Sequence, residues 1–198
     1  MYLATLFNII ISFQKMTNSR ITLRAVEPED LSLLYLWEND RSVWQVSNTL
    51  VPFSRYQLKQ YIESNPSDIH AHHQLRMMID LIQTGEPTRT VGMIDLFDFD
   101  PIHLRAGLGI LIASIGDRRQ GYAYEAIIQM IDYCRKILFL NQLYCNIAAS
   151  NTASIQLFGK AGFEITGTKK EWLRTDDGWE DELLLQLKIG NGFVFGNQ

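Results

Sequence analysis

From Gly121 to Ile137 the apolar residues Ala123, Ala126, Ile127, Met130, Ile131, Cys134 and Ile137 return at steps of three and four, while Gln129, Asp132, Arg135 and Lys136 fall elsewhere on the wheel. A helix with one apolar face must lay it on something, and the chain supplies strands on both sides of it. Upstream, Gln74 to Ile82, Val91 to Phe97 and Ala106 to Ile112 read as three consecutive strands, the first two joined through Gly85 to Pro87. Downstream, "QLYCNIAA" reads as a strand, and "NTASIQLFGKAGF" as a short helix that Asn151 can cap and Gly162 can end. Two more strands, Phe163 to Glu171 and Glu180 to Ile189, surround the turn signal Asp176-Asp177-Gly178. At the start, "ITLRAV" alternates as a strand and "PEDLSLLYLWEND" has helical spacing with acids in its first turn. Ser54 and Gln57 then form the capping-box pattern of a second helix through Ile62. The order is β α α β β β α β α β β, a mixed α/β domain.

Length and composition bound the partners. A chain of 198 residues with 46% hydrophobic residues can bury one sizeable core, taken here as a single domain over 16–190 with a tail at 191–198. A formal net charge of -4 gives no general attraction to nucleic acid, so any site for a polyanion must be local. Cys134 and Cys145 lie in apolar runs, which suits free thiols in a reducing, cytoplasmic setting. Residues 1–15 are an apolar extension whose core, Leu3 to Phe13, falls short of the roughly 20 residues that span a bilayer. It also lacks the flanks of a secretory signal, and we read it as translation from an upstream start, with Met16 opening the working domain and no membrane partner.

Ahead of the amphipathic helix stands "GDRRQGYAYEA", Gly116 to Ala126, where a mildly acidic protein concentrates positive charge and backbone freedom. The first N–H groups of a helix have no partner within it and its dipole is positive there, so an anion is stabilised. Gly121 lets the backbone come close, and Arg118 and Arg119 add planar donors that can fork onto phosphate oxygens. Such a segment suits a diphosphate. The chain has neither GxxxxGK[ST] nor a G-x-G-x-x-G after its first strand, which leaves the triphosphatase and dinucleotide readings weak.

The pattern Arg118-x-x-Gly121-x-Ala123 after a strand and opening a helix, with "NTASIQLFGKAGF" about thirty residues later, resembles the GNAT superfamily of N-acetyltransferases. The resemblance covers about Ile21 to Ile189. "LRAVEPEDL" and "MIDLFDFDPIHLRAGLGILI", Met93 to Ile112, are similar to the ribosomal-protein and spermidine acetyltransferase branches. It implies a central, twisted, mostly antiparallel sheet of about seven strands with flanking helices, and acetyl-CoA as co-substrate without a metal. It places the diphosphate on Arg119, Gln120, Gly121, Tyr122 and Ala123 beside Arg118, and the pantetheine arm along Ile110, Leu111 and Ile112. The N–H of Ile112 or a neighbour would steady the oxyanion, and Asn151, Ser154 and Phe158 match positions at the cofactor arm. Gly107 and Gly109 fit a strand approached closely by another backbone.

The implied reaction is direct attack of a primary amine, a protein N-terminus or a small amine such as a polyamine or aminoglycoside, on the thioester in one cleft. An alkyl amine has a solution pKa of about 10.4, so a base or a water chain must take its proton. Asp95, Asp98 and Asp100 are the carboxylates nearest in sequence, and alternation would send Asp98 and Asp100 to one side; they could act as base, attract a cation, or form a solvated loop. Two departures from the family stand out. Phe158 occupies the place of a tyrosine thought to protonate the leaving sulfur, and Gly107 that of a glutamate in spermidine-type relatives. A thiol with a pKa near 8.5 leaves tolerably without help. The competing reading is a non-catalytic acyl-CoA binder.

His70, His72 and His73 lack supporting ligand spacing for a metal, and Cys145 lacks a histidine partner for nucleophilic work. Trp37, Trp44 and Tyr56 read first as core and second as a lining for the acceptor. Acceptor specificity is expected in loops around Asn39 to Ser54 and Phe97 to Arg105, and the protein is expected as a monomer or homodimer.

Overall fold

The computed structural model describes residues 19–47, 49–64, 68–82 and 88–190. The apolar extension at 1–15, the Gly85 to Pro87 turn and the tail at 191–198 lie outside these residues. All seven expected strands form: β1 (Ile21–Ala25), β2 (Leu75–Leu81), β3 (Arg89–Asp100), β4 (Arg105–Ile112), β5 (Gln142–Ala148), β6 (Glu164–Thr175) and β7 (Gly178–Lys188). They make one sheet in the order β1-β2-β3-β4-β5-β7-β6, antiparallel throughout except where β4 meets β5.

Helices cover both faces of the sheet, which is why its middle strands read as nearly continuous apolar runs. On one face lies α5 (Tyr122–Lys136), burying Ala126, Ile127, Met130, Ile131 and Cys134 against Ile79, Ile94, Leu108 and Leu143. It is joined there by α6 (Thr152–Lys160), whose Phe158 stacks edge-on against Phe163. On the other face α1 (Leu31–Glu38) and α3 (Arg55–Glu63) pack Leu34, Trp37 and Leu58 against Met78 and Met93. The capping box of α3 is present: Gln57 N donates to Ser54 Oγ at 3.1 Å and Ser54 N to Gln57 Oε1 at 2.8 Å.

The structure departs from expectation in three places. The stretch expected to be loop from Asn39 to Ser54 contains a further helix, α2 (Arg41–Ser47), started by Asp40, whose carboxylate accepts from Ser42 N at 2.8 Å. Asp68 likewise caps the single turn α4 (Ile69–His72). The β6–β7 hairpin runs to a tight Asp176-Asp177 connection, longer than its apolar content suggested, because its outer end is polar and exposed.

The sheet opens at its centre. β4 and β5 pair only over Arg105, Ala106 and Gly107 with Gln142, Leu143 and Tyr144, and then part.

Candidate active site

Ala113 N donates to Val91 O at 3.0 Å, in the same register that pairs Gly92 with Ile112 and Ile94 with Ile110. Hydrogen bonding in an antiparallel ladder alternates, so the N–H and C=O groups of Ile110 and Ile112 face away from β3 and into the opening. That edge is a template for an extended chain bearing amides.

Beyond the end of β4 a 3-10 turn, Ile115–Asp117, is tied down by Arg89, which donates to both Asp117 oxygens at 2.7 and 2.8 Å. The hydrogen bond from Arg89 holds the Asp117 carboxyl below its ordinary range. The chain then takes left-handed conformations at Arg119 (φ 62) and Gly121 (φ 90) and enters α5. Gly121 gives the helix no side-chain cap. Glu125 N, bonded to Gly121 O at 3.1 Å, closes the first turn, and the N–H groups of Tyr122, Ala123 and Tyr124 have no acceptor among the described residues. These orphan donors at a positive helix end can hold an anion. Arg20 braces the loop, donating to Gln120 O at 2.8 Å and to Glu125, with its guanidinium 5.1 Å from the Tyr122 ring centroid. Arg118 does not open as the expected fork: its Nε and Nη2 close on the carbonyls of Ile112 and Ala113 at 3.0 and 3.3 Å, clamping the loop to the strand. Arg119 and Gln120 are exposed.

A cleft of about 780 Å³ runs through the opening. Part of its lining is Ile110, Leu111, Asn151, Ser154 and Phe158. Asn151 Oδ1 caps α6 by accepting from Ser154 N at 3.2 Å. Elsewhere one wall carries Glu38, Arg76, Asp95 and Tyr61, and the other Asn146, Leu173 and Glu182. Arg76 donates to both Asp95 oxygens at 2.7 and 3.0 Å and also to Glu38. Burial opposes its charge, but the two carboxylates outweigh burial and drive its pKa up. The floor is Phe97: a Cβ on Gly107 would fall 2.2 Å from its ring, so the glycine makes room for the aromatic.

Residues 20–164 match the acetyltransferase (GNAT) domain family. The chain belongs to the GNAT acetyltransferase family. A spermidine N(1)-acetyltransferase of Vibrio cholerae is 27% identical over 146 residues, 74% of this chain and 80% of that protein. A ribosomal protein uS5-alanine N-acetyltransferase of Escherichia coli is 32% identical over 76 residues, 37% of this chain and 39% of that one. The crystal structure of a Vibrio cholerae spermidine N-acetyltransferase in complex with CoA and spermine shares the fold with a TM-score of 0.76 at 24% identity, over 86% of this chain and 96% of that one.

Seen as a GNAT acetyltransferase, the protein brings Ile110, Leu111, Asn151, Ser154, Phe158 and Asp95 to one cleft. It does not bring Asp98 or Asp100 there. The register shifts between Phe97 and Asp100 with Asp98 at φ 48, which breaks the alternation. Asp98 instead accepts from Tyr144 OH at 2.9 Å, and Asp100 from Ile102 N and His103 N. Asp95 reaches the cleft already bound through both oxygens. Of the early aromatics, Trp37 is core, Trp44 donates to Glu38 O at 2.8 Å, and Tyr56 is exposed, neither core nor lining. His70 stacks on Phe99, His72 meets Ser64 O and His73 meets Phe99 O. Sequence reading missed Glu38, Arg76 and Glu182. Arg76 had a signal, a lone charge inside the apolar run "LRMMI", whereas Glu182 ends the acidic run "EDE" and has none. Among the described residues no helix is long and apolar enough to cross a membrane.

Proposed function

We propose that this GNAT acetyltransferase moves the acetyl group of acetyl-CoA to a primary amine by direct attack within one ternary complex, and that the acceptor is a small cationic amine of the polyamine class. The observation carrying this reading is the opening of the sheet: the edge of Ile110 and Ile112, on which Arg118 takes the Ile112 carbonyl, runs from an uncapped helix terminus into a cleft with three carboxylates against one arginine. The diphosphate sits on the backbone of Arg119, Gln120, Gly121, Tyr122 and Ala123. The pantetheine amides pair with Ile110 and Ile112, as a strand adds to a sheet edge. The Ile112 N–H or its neighbour in the opening steadies the oxyanion, and Glu38 and Asp95 draw the ammonium groups of the acceptor. With phenylalanine at 158 the sulfur leaves as thiolate and takes its proton from the attacking nitrogen or from water. The relative acting on spermidine supports the small amine over the protein N-terminus, since its match covers far more of the chain.

CoA thiol release is measured with acetyl-CoA and, in turn, spermidine, spermine and an alanine-ended peptide. Release with the polyamines and not with the peptide is expected. Release with the peptide alone transfers the acceptor assignment to protein N-termini, and binding of acetyl-CoA without release for any acceptor reduces the protein to an acyl-CoA binder.

A further inference from the structure

Acetyl transfer to an amine, as proposed above, needs a group to take the ammonium proton, and the residues first expected to do so are engaged elsewhere. Asp98 lies off the cleft against Tyr144, and Asp95 gives both oxygens to Arg76. Glu38 shares that same guanidinium on the far wall. Position 107 supplies no acid, its glycine yielding to the Phe97 ring.

Across the opening stands Glu182. It is buried, at 7% exposure, yet lines the cleft. The register pairs it with Ala148 on β5 and Lys169 on β6. Tyr144, two residues from Asn146 and four from Ala148 along β5, pairs with Gly107, so Glu182 shares the sheet face that carries Phe97 and Asp95. Lys169 Nζ donates to Glu182 Oε2 at 2.6 Å and to Asn146 Oδ1 at 3.1 Å, and lies 5.2 Å from the Trp172 ring centroid. Oε1 has no donor among the described residues. The other carboxylates on β7 are engaged elsewhere and do not line the cleft: Glu180 accepts from Ser150 N, and Asp181 from Lys170 Nζ and Glu171 N. One oxygen of Glu182 is therefore held and the other is left for a ligand. Lys169 compensates the buried charge through Oε2, and Oε1 keeps its capacity to accept from a ligand in the cleft.

We propose that Glu182 is the proton acceptor for the amine, with Lys169 and Asn146 as positioning residues. The ammonium group gives one proton to Oε1. The neutral nitrogen attacks the thioester carbon, the C–N bond forms and the C–S bond breaks. The nitrogen's second proton passes to the leaving sulfur, and Glu182 returns its proton to water.

The test compares two acceptors at a pH of about 9, below the alkyl-amine pKa of about 10.4: spermidine, which must lose a proton before it attacks, and hydrazine, a weaker base that is largely neutral there. For Glu182→Gln, kcat/KM with spermidine is expected to fall by about 10²–10⁴-fold. Its kcat/KM with hydrazine and the KM for acetyl-CoA are expected to stay close to the parent values. Glu182→Asp, which keeps a carboxylate on a shorter arm, is expected to show the same selectivity in weaker form and serves if the glutamine variant does not fold. Equal losses on both acceptors, or the selective loss appearing in Glu38→Gln and not in Glu182→Gln, would overturn the assignment. If the parent protein acetylates hydrazine and spermidine and Glu182→Gln matches it on both, only this inference fails. If the parent releases no CoA with either acceptor, the proposed function fails and takes this inference with it.

Discussion

At the scale of single residues, burial decides which ionisable groups take part in chemistry and which only hold the fold. Burial pushes the Cys145 thiol up to about 12 and moves that of Cys134 in the same direction. Neither forms appreciable thiolate at pH 8, and thiolate is the reactive species. A disulfide reagent such as dithionitrobenzoate is accordingly expected to titrate no thiol in the native protein at pH 8 and both after unfolding. In a thiol-release assay the signal then belongs to CoA alone; rapid native labelling of Cys145, which lines the cleft, would refute the buried placement. Asp30 makes the complementary case. Burial alone would lift its carboxyl, but the hydrogen bonds from Arg24 (2.6 and 2.9 Å) and from Glu27 N (2.9 Å) outweigh it, so it ionises below its ordinary value. A carboxyl whose folded pKa is depressed contributes stability above its unfolded value of about 3.9 and loses it as pH falls through the lower folded value. Asp30→Asn is expected to cost about 1.5–3 kcal/mol at pH 7 and much less at pH 2 to 3, read by urea denaturation at each pH. An equal cost at both pH values would show that packing and not charge is responsible.

Elements depend on glycines whose reasons differ, and the differences are measurable. A Cβ on Gly92 would fall 2.0 Å from the Leu111 carbonyl oxygen, which is backbone and cannot swing away. On Gly107 it would meet the Phe97 ring, a side chain half-buried at a cleft and able to move. Gly92→Ala is therefore expected to destabilise beyond the usual ~1–3 kcal/mol of overpacking, and Gly107→Ala to stay within it while changing acceptor KM, both read from denaturation midpoints and kinetics. Gly121→Ala forces a left-handed residue onto a non-glycine, about 1–3 kcal/mol, and sets its Cβ 2.9 Å from Arg20 Nη2. Weaker CoA binding in calorimetry with unchanged acceptor KM is the expected signature, and unaltered CoA affinity would remove the loop from the cofactor site. Gly121 was legible in the sequence because a strand, a basic loop and a helix with a clear apolar period frame it. Gly92 was not, since nothing local marks a glycine required by a carbonyl nineteen residues away. The helix at Arg41–Ser47 was hidden for a related reason: its capping Asp40 follows directly on the preceding helix, so the two read as one helix and a loop.

For the whole molecule, the opening between β4 and β5 is both the origin of the site and its weakest seam. Three residue pairs, Arg105 to Gly107 with Gln142 to Tyr144, join strands β1 to β4 to strands β5, β7 and β6. The Tyr144–Asp98 hydrogen bond, the edge-on contact of Phe97 with Tyr144 and the bonds of Asn141 N and Gln142 N to Leu104 O add to the union, and the apolar face of α5 is laid across Leu108 and Leu143 on either side of the gap. The order of strands and helices could be read from periodicity, because each element declares its own face. The charged walls of the cleft could not, because Arg76, Glu38 and Glu182 come from β2, α1 and β7 and meet only when the sheet is assembled. A ligand that pairs with Ile110 and Ile112 while resting against α6 and the start of α5 touches both halves. It should stabilise the protein by mass action, about 2.7 kcal/mol at a hundred times its Kd. The gain should also be localised: amides of Ile110 and Ile112, which face the gap, are expected to slow in hydrogen exchange on adding CoA, while Leu111, already paired to Met93, changes little. A uniform slowing across β1 and β2 as well would mean that CoA acts only through global stability. Protection confined to the gap-facing amides would show the arm lying along β4 as an added strand, and it would do so without any acceptor present, separating the cofactor seat from every assumption about the amine.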